Sequence, residues 1–246
     1  MNSFLKQIII AIVMIFFGGS LAFTQNCNTP PCYGLSCNCQ TWSAWAERMV
    51  TYIPPAYPLC TLNVFYCYRQ CLDNPECTEI YIKFIQAGVF CGQCNDFFYF
   101  LEIGDDWERA RKIRYLYIQI FRSIVFKTWE LFLDNTHSDF WPYCDQGTRK
   151  KYFNRTAKCL AFCYTQYPID DPETRMLITA MNCTDDACCL RWIELCVDRN
   201  TGQTISNEYR ESTFPVDCYD LNLPLTVCPP GLNVTITRCI DDCDQE

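Results

Sequence analysis

The chain has 246 residues, of which 28 are acidic and 20 basic, and its formal net charge at pH 7 is −8. An acidic surface repels phosphate groups, and this balance excludes a nucleic-acid-binding protein. The chain also contains 21 cysteines and 15% aromatic residues. That composition is typical of small cores held by disulfides, which persist only in an oxidising compartment, and we expect a secreted, cell-surface or periplasmic protein.

The first 22 residues have the pattern of a secretory signal peptide. Lys6 supplies the positive charge, residues 8–17 form the apolar segment, and Ser20-Leu21-Ala22 is a small-residue cleavage site. Gly18 and Gly19 interrupt the apolar run before it reaches the roughly 20 residues that a membrane-spanning helix needs. Cleavage after Ala22 leaves a mature chain with a net charge of −9, for which we expect no stable membrane insertion.

The spacing of the cysteines divides the mature chain into three regions. Residues 23–94 hold ten cysteines and are predicted to form a Cys-rich cap and a β-hairpin region. Residues 95–143 hold none and are predicted to form a helical segment packing on it, whereas residues 144–246 hold eleven and are predicted to be β-rich. The predicted fold class is α+β, disulfide-rich, with β-hairpins at both ends and one long central amphipathic helix.

Two antiparallel strands are expected in the first region. Apolar and polar residues alternate along residues 61–68 and again along residues 79–85, on either side of a loop that contains Pro75. The β-branched and aromatic residues of both segments favour strands over helices. Residues 95–100, which follow the last cysteine of this region, are interpreted as a strand or an aromatic loop.

A helix is predicted over residues 105–133. Asp105 is placed to cap its first turn, with Glu108 three positions later. Apolar residues then recur at steps of three and four, and basic residues occupy most of the opposite face. We interpret this basic face as an ordinary solvated surface that pairs with carboxylates.

In the third region a hairpin is predicted over residues 189–209, with its turn at residues 198–202, and a late strand over residues 233–238. Three pairs of cysteines are spaced four apart along predicted strands. Residues four apart on a strand lie about 13 Å from each other on the same face. These cysteines are therefore expected to bond to neighbouring strands or to the N-terminal cap. The pairs are Cys67 and Cys71, Cys159 and Cys163, and Cys239 and Cys243.

The segment Cys91-Gly-Gln-Cys94 has the spacing of a dithiol oxidoreductase. Catalysis of that kind places the first cysteine at the start of a helix that follows a buried strand. The predicted strand or loop at residues 95–100 does not fit this context, and a structural role is favoured. Redox catalysis by Cys91 and Cys94 remains as an alternative.

No other catalytic site is predicted. His137 is the only histidine, and it cannot form a triad with its immediate neighbours Ser138 and Asp139, because triad members converge from separate segments. No cofactor-binding or metal-binding residues are predicted. If the host is eukaryotic, the sequons predict glycan acceptors at Asn154, Asn182 and Asn233.

The sequence thus favours an exported, disulfide-stabilised, non-enzymatic structural or interaction protein, such as a cell-surface, matrix or assembly and filament component. Its expected partners are other protein chains or a second copy of itself, bound through an unpaired cysteine, because 21 is an odd number. Two alternatives remain. One is the thiol-disulfide oxidoreductase, and the other is an extracellular small-ligand or glycan-binding module with a cleft lined by Trp42, Trp45 or Trp141.

Overall fold

The computed structural model describes residues 37, 39–87, 91–167, 175–183, 187–213, 217–218, 224, 228 and 232–243. The predicted signal peptide at residues 1–22 lies outside them. The described residues form the strands β1 (Ala46–Tyr52), β2 (Leu62–Gln70), β3 (Cys77–Ala87), β4 (Lys150–Ala157), β5 (Cys159–Tyr167), β6 (Arg175–Asn182), β7 (Cys188–Val197), β8 (Thr204–Ser212), β9 (Leu232–Ile236) and β10 (Ile240–Asp241). They also form the helices α1 (Asn95–Glu102) and α2 (Asp106–Asn135).

All ten strands belong to one mixed sheet that branches at β3. One edge of β3 pairs with β2, which pairs in turn with β1, and both pairings are antiparallel. On the other edge, Cys77 to Ile80 pair in parallel with β4, whereas Ile85 and Gln86 pair antiparallel with β6. Two arms therefore diverge from β3, one formed by β4, β7 and β8 and the other by β6, β5, β9 and β10. Between the two halves of β3, Lys83 has no partner on β2 and forms a β-bulge.

This architecture shows that the predicted fold class is wrong. An α+β fold with β-hairpins at both ends and one long central helix would place the β-structure in two separate units. Instead, strands from both Cys-rich regions join in a single ten-stranded sheet, and the helices pack on that sheet. The β3–β4 and β3–β6 pairings connect residues far apart in the sequence. Alternation along a segment identifies a strand but not its partner, which is why these pairings were not predicted.

Some of the local predictions are confirmed and one is wrong. β2 and β3 form the expected antiparallel pair, β7 and β8 form the expected hairpin, and β9 is the expected late strand. Residues 95–100 were expected to form a strand or a loop, but they belong to the helix α1, which buries Phe97, Phe98 and Leu101. Those three positions share one face of a helix because they are one and four residues apart.

Helix α2 begins at a cap formed by Asp105, whose carboxylate accepts a hydrogen bond from the backbone N–H of Glu108 at 2.9 Å. The preceding Gly104 has a φ of +100°, and a Cβ at this position would overlap the Glu108 carboxylate. Glycine therefore suits this turn better than any other residue. Near the other end of α2, the buried Trp129 donates a hydrogen bond to the hydroxyl of Thr204 on β8 at 2.9 Å. The main core lies between the helices and the sheet, and its fully buried members include Ile80, Ile113, Phe121, Phe162 and Ile193.

Disulfides connect strands and loops throughout the described residues. Cys67 and Cys188 are each disulfide-bonded. Eight further disulfides are Cys37–Cys77, Cys39–Cys71, Cys60–Cys94, Cys144–Cys196, Cys159–Cys218, Cys163–Cys228, Cys183–Cys239 and Cys189–Cys243. The prediction that cysteines four apart do not bond to each other is confirmed for all three pairs. Cys71 bonds to Cys39, Cys159 and Cys163 bond to Cys218 and Cys228, and Cys239 and Cys243 bond to Cys183 and Cys189. A chain cross-linked to this extent is disulfide-stabilised and typical of an oxidising compartment. Among the described residues, no helix is long and apolar enough to cross a membrane.

Candidate functional site

The connection between α2 and β4 is anchored at both of its ends. The indole N–H of Trp141 donates a hydrogen bond to the carbonyl oxygen of Thr136, which caps the C-terminus of α2, at 2.9 Å. Further along, the disulfide Cys144–Cys196 ties the connection to β7, and the carbonyl of Pro142 accepts a hydrogen bond from the β7 backbone at 2.9 Å. The Trp141 side chain is therefore held in a defined position on the sheet.

This connection and the loop between β2 and β3 border an open cleft of about 380 Å³, which we call the Trp141 cleft. Its apolar lining includes Phe132, Phe140 and Trp141. Phe140 is 76% exposed, whereas Phe132 stacks on the buried Trp129 with their ring centroids 5.6 Å apart. Clefts of this size, with aromatic walls and a small number of polar groups, are the usual form of a small-molecule site.

Lys150, the first residue of β4, supplies a hydrogen-bond donor to the Trp141 cleft. Its ammonium lies 4.1 Å from the ring centroid of Phe132. Burial lowers the pKa of Lys150, and the attraction of the Glu76 carboxylate opposes this effect. Within the described part of the chain, the ammonium has no hydrogen bond or ion pair. Because an ammonium carries three donors, it can donate to a bound ligand.

The same cleft also offers hydrogen-bond acceptors. Glu76 and Asp139 line it with carboxylates, and Gln146 and Thr148 add an amide and a hydroxyl. These four residues come from the β2–β3 loop and from the connection between α2 and β4. Sequence reasoning identified Trp141 but none of these polar residues, because they are scattered along the chain and follow no motif.

Trp42 and Trp45, the other two tryptophans predicted to line a cleft, lie elsewhere. Their indole rings contact the guanidinium of Arg69, whose central carbon is 4.5 Å from each ring centroid. Arg69 in turn donates from Nε to Oε2 of the buried Glu79 at 2.6 Å. Arg155 Nη2 lies 3.1 Å from the other carboxylate oxygen of Glu79. This buried charge cluster joins β2, β3 and β4.

A second and larger cleft, of about 510 Å³, lies between α1 and α2. Two of its three basic side chains bind backbone carbonyls. Lys112 donates to the carbonyls of Phe100 and Ile103 at 2.9 and 2.6 Å, and Arg114 donates to that of Asp241 at 2.7 Å. These cations hold the end of α1 and β10 in place, and the Trp141 cleft is for this reason the better candidate site.

The predicted redox pair does not form a disulfide with itself. Cys94 is bonded to Cys60, and the backbone of Cys91 begins the 3₁₀ turn that precedes α1. A Cys91–Cys94 couple would first require the Cys60–Cys94 bond to exchange. The redox hypothesis stays a prediction. His137 lies after the end of α2 with 72% of its side chain exposed, and its Nδ1 lies 3.1 Å from a carboxylate oxygen of Asp139.

Cys39 and Cys71 lie beside the Asp73 carboxylate, but they are joined in a disulfide and carry no thiolate for a metal ion. Among the predicted glycan acceptors, Asn154 lies in the middle of β4 with its amide oxygen buried, and Asn182 ends β6. The side chain of Asn233 lies outside the described residues. Glycosylation at these three positions stays a prediction.

No known family model, curated protein or solved structure matches this chain.

Proposed function

We propose that the chain is an exported, non-enzymatic interaction protein that binds a carbohydrate in the Trp141 cleft. The observation that carries this proposal is the Lys150 ammonium, which lies over Phe132 without an acceptor among the described residues. The cleft around it is walled by the exposed Phe140 and the partly buried Phe132 and Trp141. The absence of catalysis is proposed because the single histidine, His137, lies on the surface beside Ser138 and Asp139 and cannot form a catalytic triad with these neighbours.

The mixture of groups in the cleft supports a neutral, polyhydroxylated ligand. A sugar ring has an apolar C–H face that packs on aromatic rings, and its hydroxyls both donate and accept hydrogen bonds. Lys150 offers donors, whereas Glu76 and Asp139 offer acceptors. An anionic ligand would meet these two carboxylates, and a cationic ligand would meet the Lys150 ammonium. Neither charge is complementary to the whole cleft.

The aromatic wall is tested by Phe140→Ala. The secreted protein is titrated by calorimetry with neutral oligosaccharides of glucose, mannose, galactose and N-acetylglucosamine. Because Phe140 is 76% exposed, its truncation leaves the fold intact, and we expect at least a tenfold weaker affinity for whichever oligosaccharide binds. Tyr99→Ala is the matched control, because Tyr99 is a 68% exposed aromatic residue on α1. Unchanged affinity in Phe140→Ala, or no binding by the parent protein, would refute the proposal.

The donor is tested by Lys150→Met, which keeps the side-chain stem over Phe132 and removes the ammonium. We expect a loss of about 1.5–3 kcal/mol in binding free energy, the range for a charge-assisted hydrogen bond. Lys151→Met is the control. Lys151 follows on the same strand, points to the opposite face and pairs with Glu194 at 3.3 Å. Equal affinities in the two variants would contradict the role assigned to Lys150.

We further propose that an unpaired cysteine links the chain to another protein chain. The sequence has 21 cysteines, and eighteen of them lie among the described residues with a disulfide bond. The odd cysteine must therefore be among Cys27, Cys32 and Cys91. Alkylation without reduction, followed by peptide mass spectrometry, should leave the linking cysteine unlabelled, and non-reducing gels should show a covalent oligomer that Cys→Ser at one of these three positions abolishes. A strictly monomeric band would refute the linkage.

A further inference from the structure

The segment Trp42-Ser-Ala-Trp45 places two tryptophans three residues apart with only small residues between them. Of the six tryptophans in the sequence, Trp42 alone is followed by another tryptophan at the third position. Trp-x-x-Trp is the acceptor pattern for C-mannosylation, a modification of tryptophan in the secretory pathway of eukaryotic cells. The transferase acts on the unfolded chain, and this segment lies shortly after the predicted signal peptide and is translocated early.

In the folded protein the two indoles hold one guanidinium between them. Trp42 and Trp45 each lie 4.5 Å from the guanidinium carbon of Arg69, and both remain partly exposed. Arg69 is held in place by Glu79, and Trp42 forms a backbone bridge with Cys71, which is bonded to Cys39. The Trp-x-x-Trp segment is therefore an ordered part of the fold. A face of each indole ring contacts Arg69, and part of each tryptophan side chain is exposed to solvent.

We propose that Trp42 is a C-mannosylation acceptor. In this reaction, C2 of the Trp42 indole attacks the anomeric carbon of a polyprenyl-phosphate mannose. A carbon–carbon bond forms, the bond between the anomeric carbon and the phosphate oxygen breaks, and polyprenyl phosphate leaves. The proton on indole C2 then passes to a base of the transferase and aromaticity is restored, with no net oxidation or reduction. This step requires export through a eukaryotic secretory pathway, and it does not require carbohydrate binding in the Trp141 cleft.

The spacing also assigns a different role to each tryptophan. Trp42 accepts the sugar, and Trp45 supplies the second half of the pattern that the transferase reads. Trp45 itself is followed at the third position by Arg48 and is not an acceptor. A hexose on C2 of Trp42 adds hydroxyl groups beside the Arg69 guanidinium, where they can accept hydrogen bonds.

The test is peptide mass spectrometry on the full chain. The protein is produced in cells that C-mannosylate a reference secreted protein, and in the same cells lacking the transferase. After reduction, alkylation and trypsin digestion, the peptide ending at Arg48 contains Trp42 and Trp45 and no N-glycosylation sequon. We expect it to carry about 162 Da, the mass of one hexose, localised to Trp42 and resistant to alkaline elimination. Cells lacking the transferase should yield the unmodified peptide.

Trp45→Phe tests whether the Trp-x-x-Trp pattern, and not the aromatic contact with Arg69, directs the modification. Phenylalanine keeps an aromatic ring over Arg69 but removes the second tryptophan. We expect the hexose on Trp42 to be lost in this variant and retained in the control Trp192→Phe. Peptides are also analysed from the intracellular pool, since the modification precedes folding and a poorly secreted variant still reports on it. An unmodified parent peptide, a hexose on another residue, or full modification of Trp45→Phe would each overturn the proposal.

Discussion

The buried charge cluster around Glu79 gives the sharpest stability prediction. Glu79 is 1% exposed and lies between the guanidinium groups of Arg69 and Arg155, with N–O distances of 2.6 and 3.1 Å. Glu79→Gln removes the negative charge and leaves two cations facing a neutral amide. Breaking a buried ion pair in this way costs about 3–5 kcal/mol. With a urea slope of about 2 kcal/mol per M, the unfolding midpoint should fall by about 2 M.

The measurement is urea unfolding followed by circular dichroism, with the disulfides intact. Asp145→Asn is the control, because the Asp145–Arg199 pair is more than half exposed and 3.5 Å apart, and its loss should cost less than about 1 kcal/mol. The double variant Glu79→Met/Arg155→Met should recover part of the loss, since it removes one of the two cations left without a carboxylate. A Glu79→Gln protein within about 1 kcal/mol of the parent would refute the reasoning.

Two further predictions concern the contacts between α2 and β8. Burial raises the pKa of Glu208, but hydrogen bonds from Arg122 and Arg191 outweigh it and leave the pKa below its ordinary value. This carboxylate therefore stabilises the fold above about pH 4.5 and ceases to do so as the pH falls further, and Glu208→Gln should flatten the acid limb of a plot of Tm against pH. An acid limb as steep as that of the parent would contradict this. Trp129→Phe loses the hydrogen bond to Thr204 and leaves a cavity, and should cost about 1–3 kcal/mol by calorimetry. An unchanged Tm would exclude that packing role.

The strands that the sequence predicted are those with one buried face. In β2, Leu62 and Val64 are fully buried on alternate positions, and this spacing is visible in the sequence. β4 was missed because its adjacent residues Tyr152 and Phe153 are both buried while charged residues surround them. Such a strand, covered on both faces, has no alternation to detect. The branching at β3 depends on pairings between distant segments and leaves no local signal.

The Trp141 cleft was predictable only in part. Trp141 was among the tryptophans expected to line a ligand site, because a large aromatic side chain in a stapled protein suggests a binding surface. Its neighbours in the cleft are Phe132 at the end of a helix, Glu76 in a loop and Lys150 at the start of a strand. Only the pairing of β4 with β3 brings these three segments together. No signal in the sequence predicts that these three segments lie next to one another.

The bulge at Lys83 lets both halves of β3 turn their apolar side chains toward the same core. Lys83 is 4% exposed and forms an ion pair with Glu47 at 3.1 Å. It separates the half of β3 that pairs with β4 from the half that pairs with β6. Because the bulge absorbs Lys83, Ile82 before it and the fully buried Ile85 after it both face the core although they are three residues apart. One further residue inserted in β3 would turn Ile85 and the β6 arm toward the opposite face. Insertions can therefore accumulate in the loops at the ends of the arms, whereas an added residue in β3 would disrupt the sheet at its branch point.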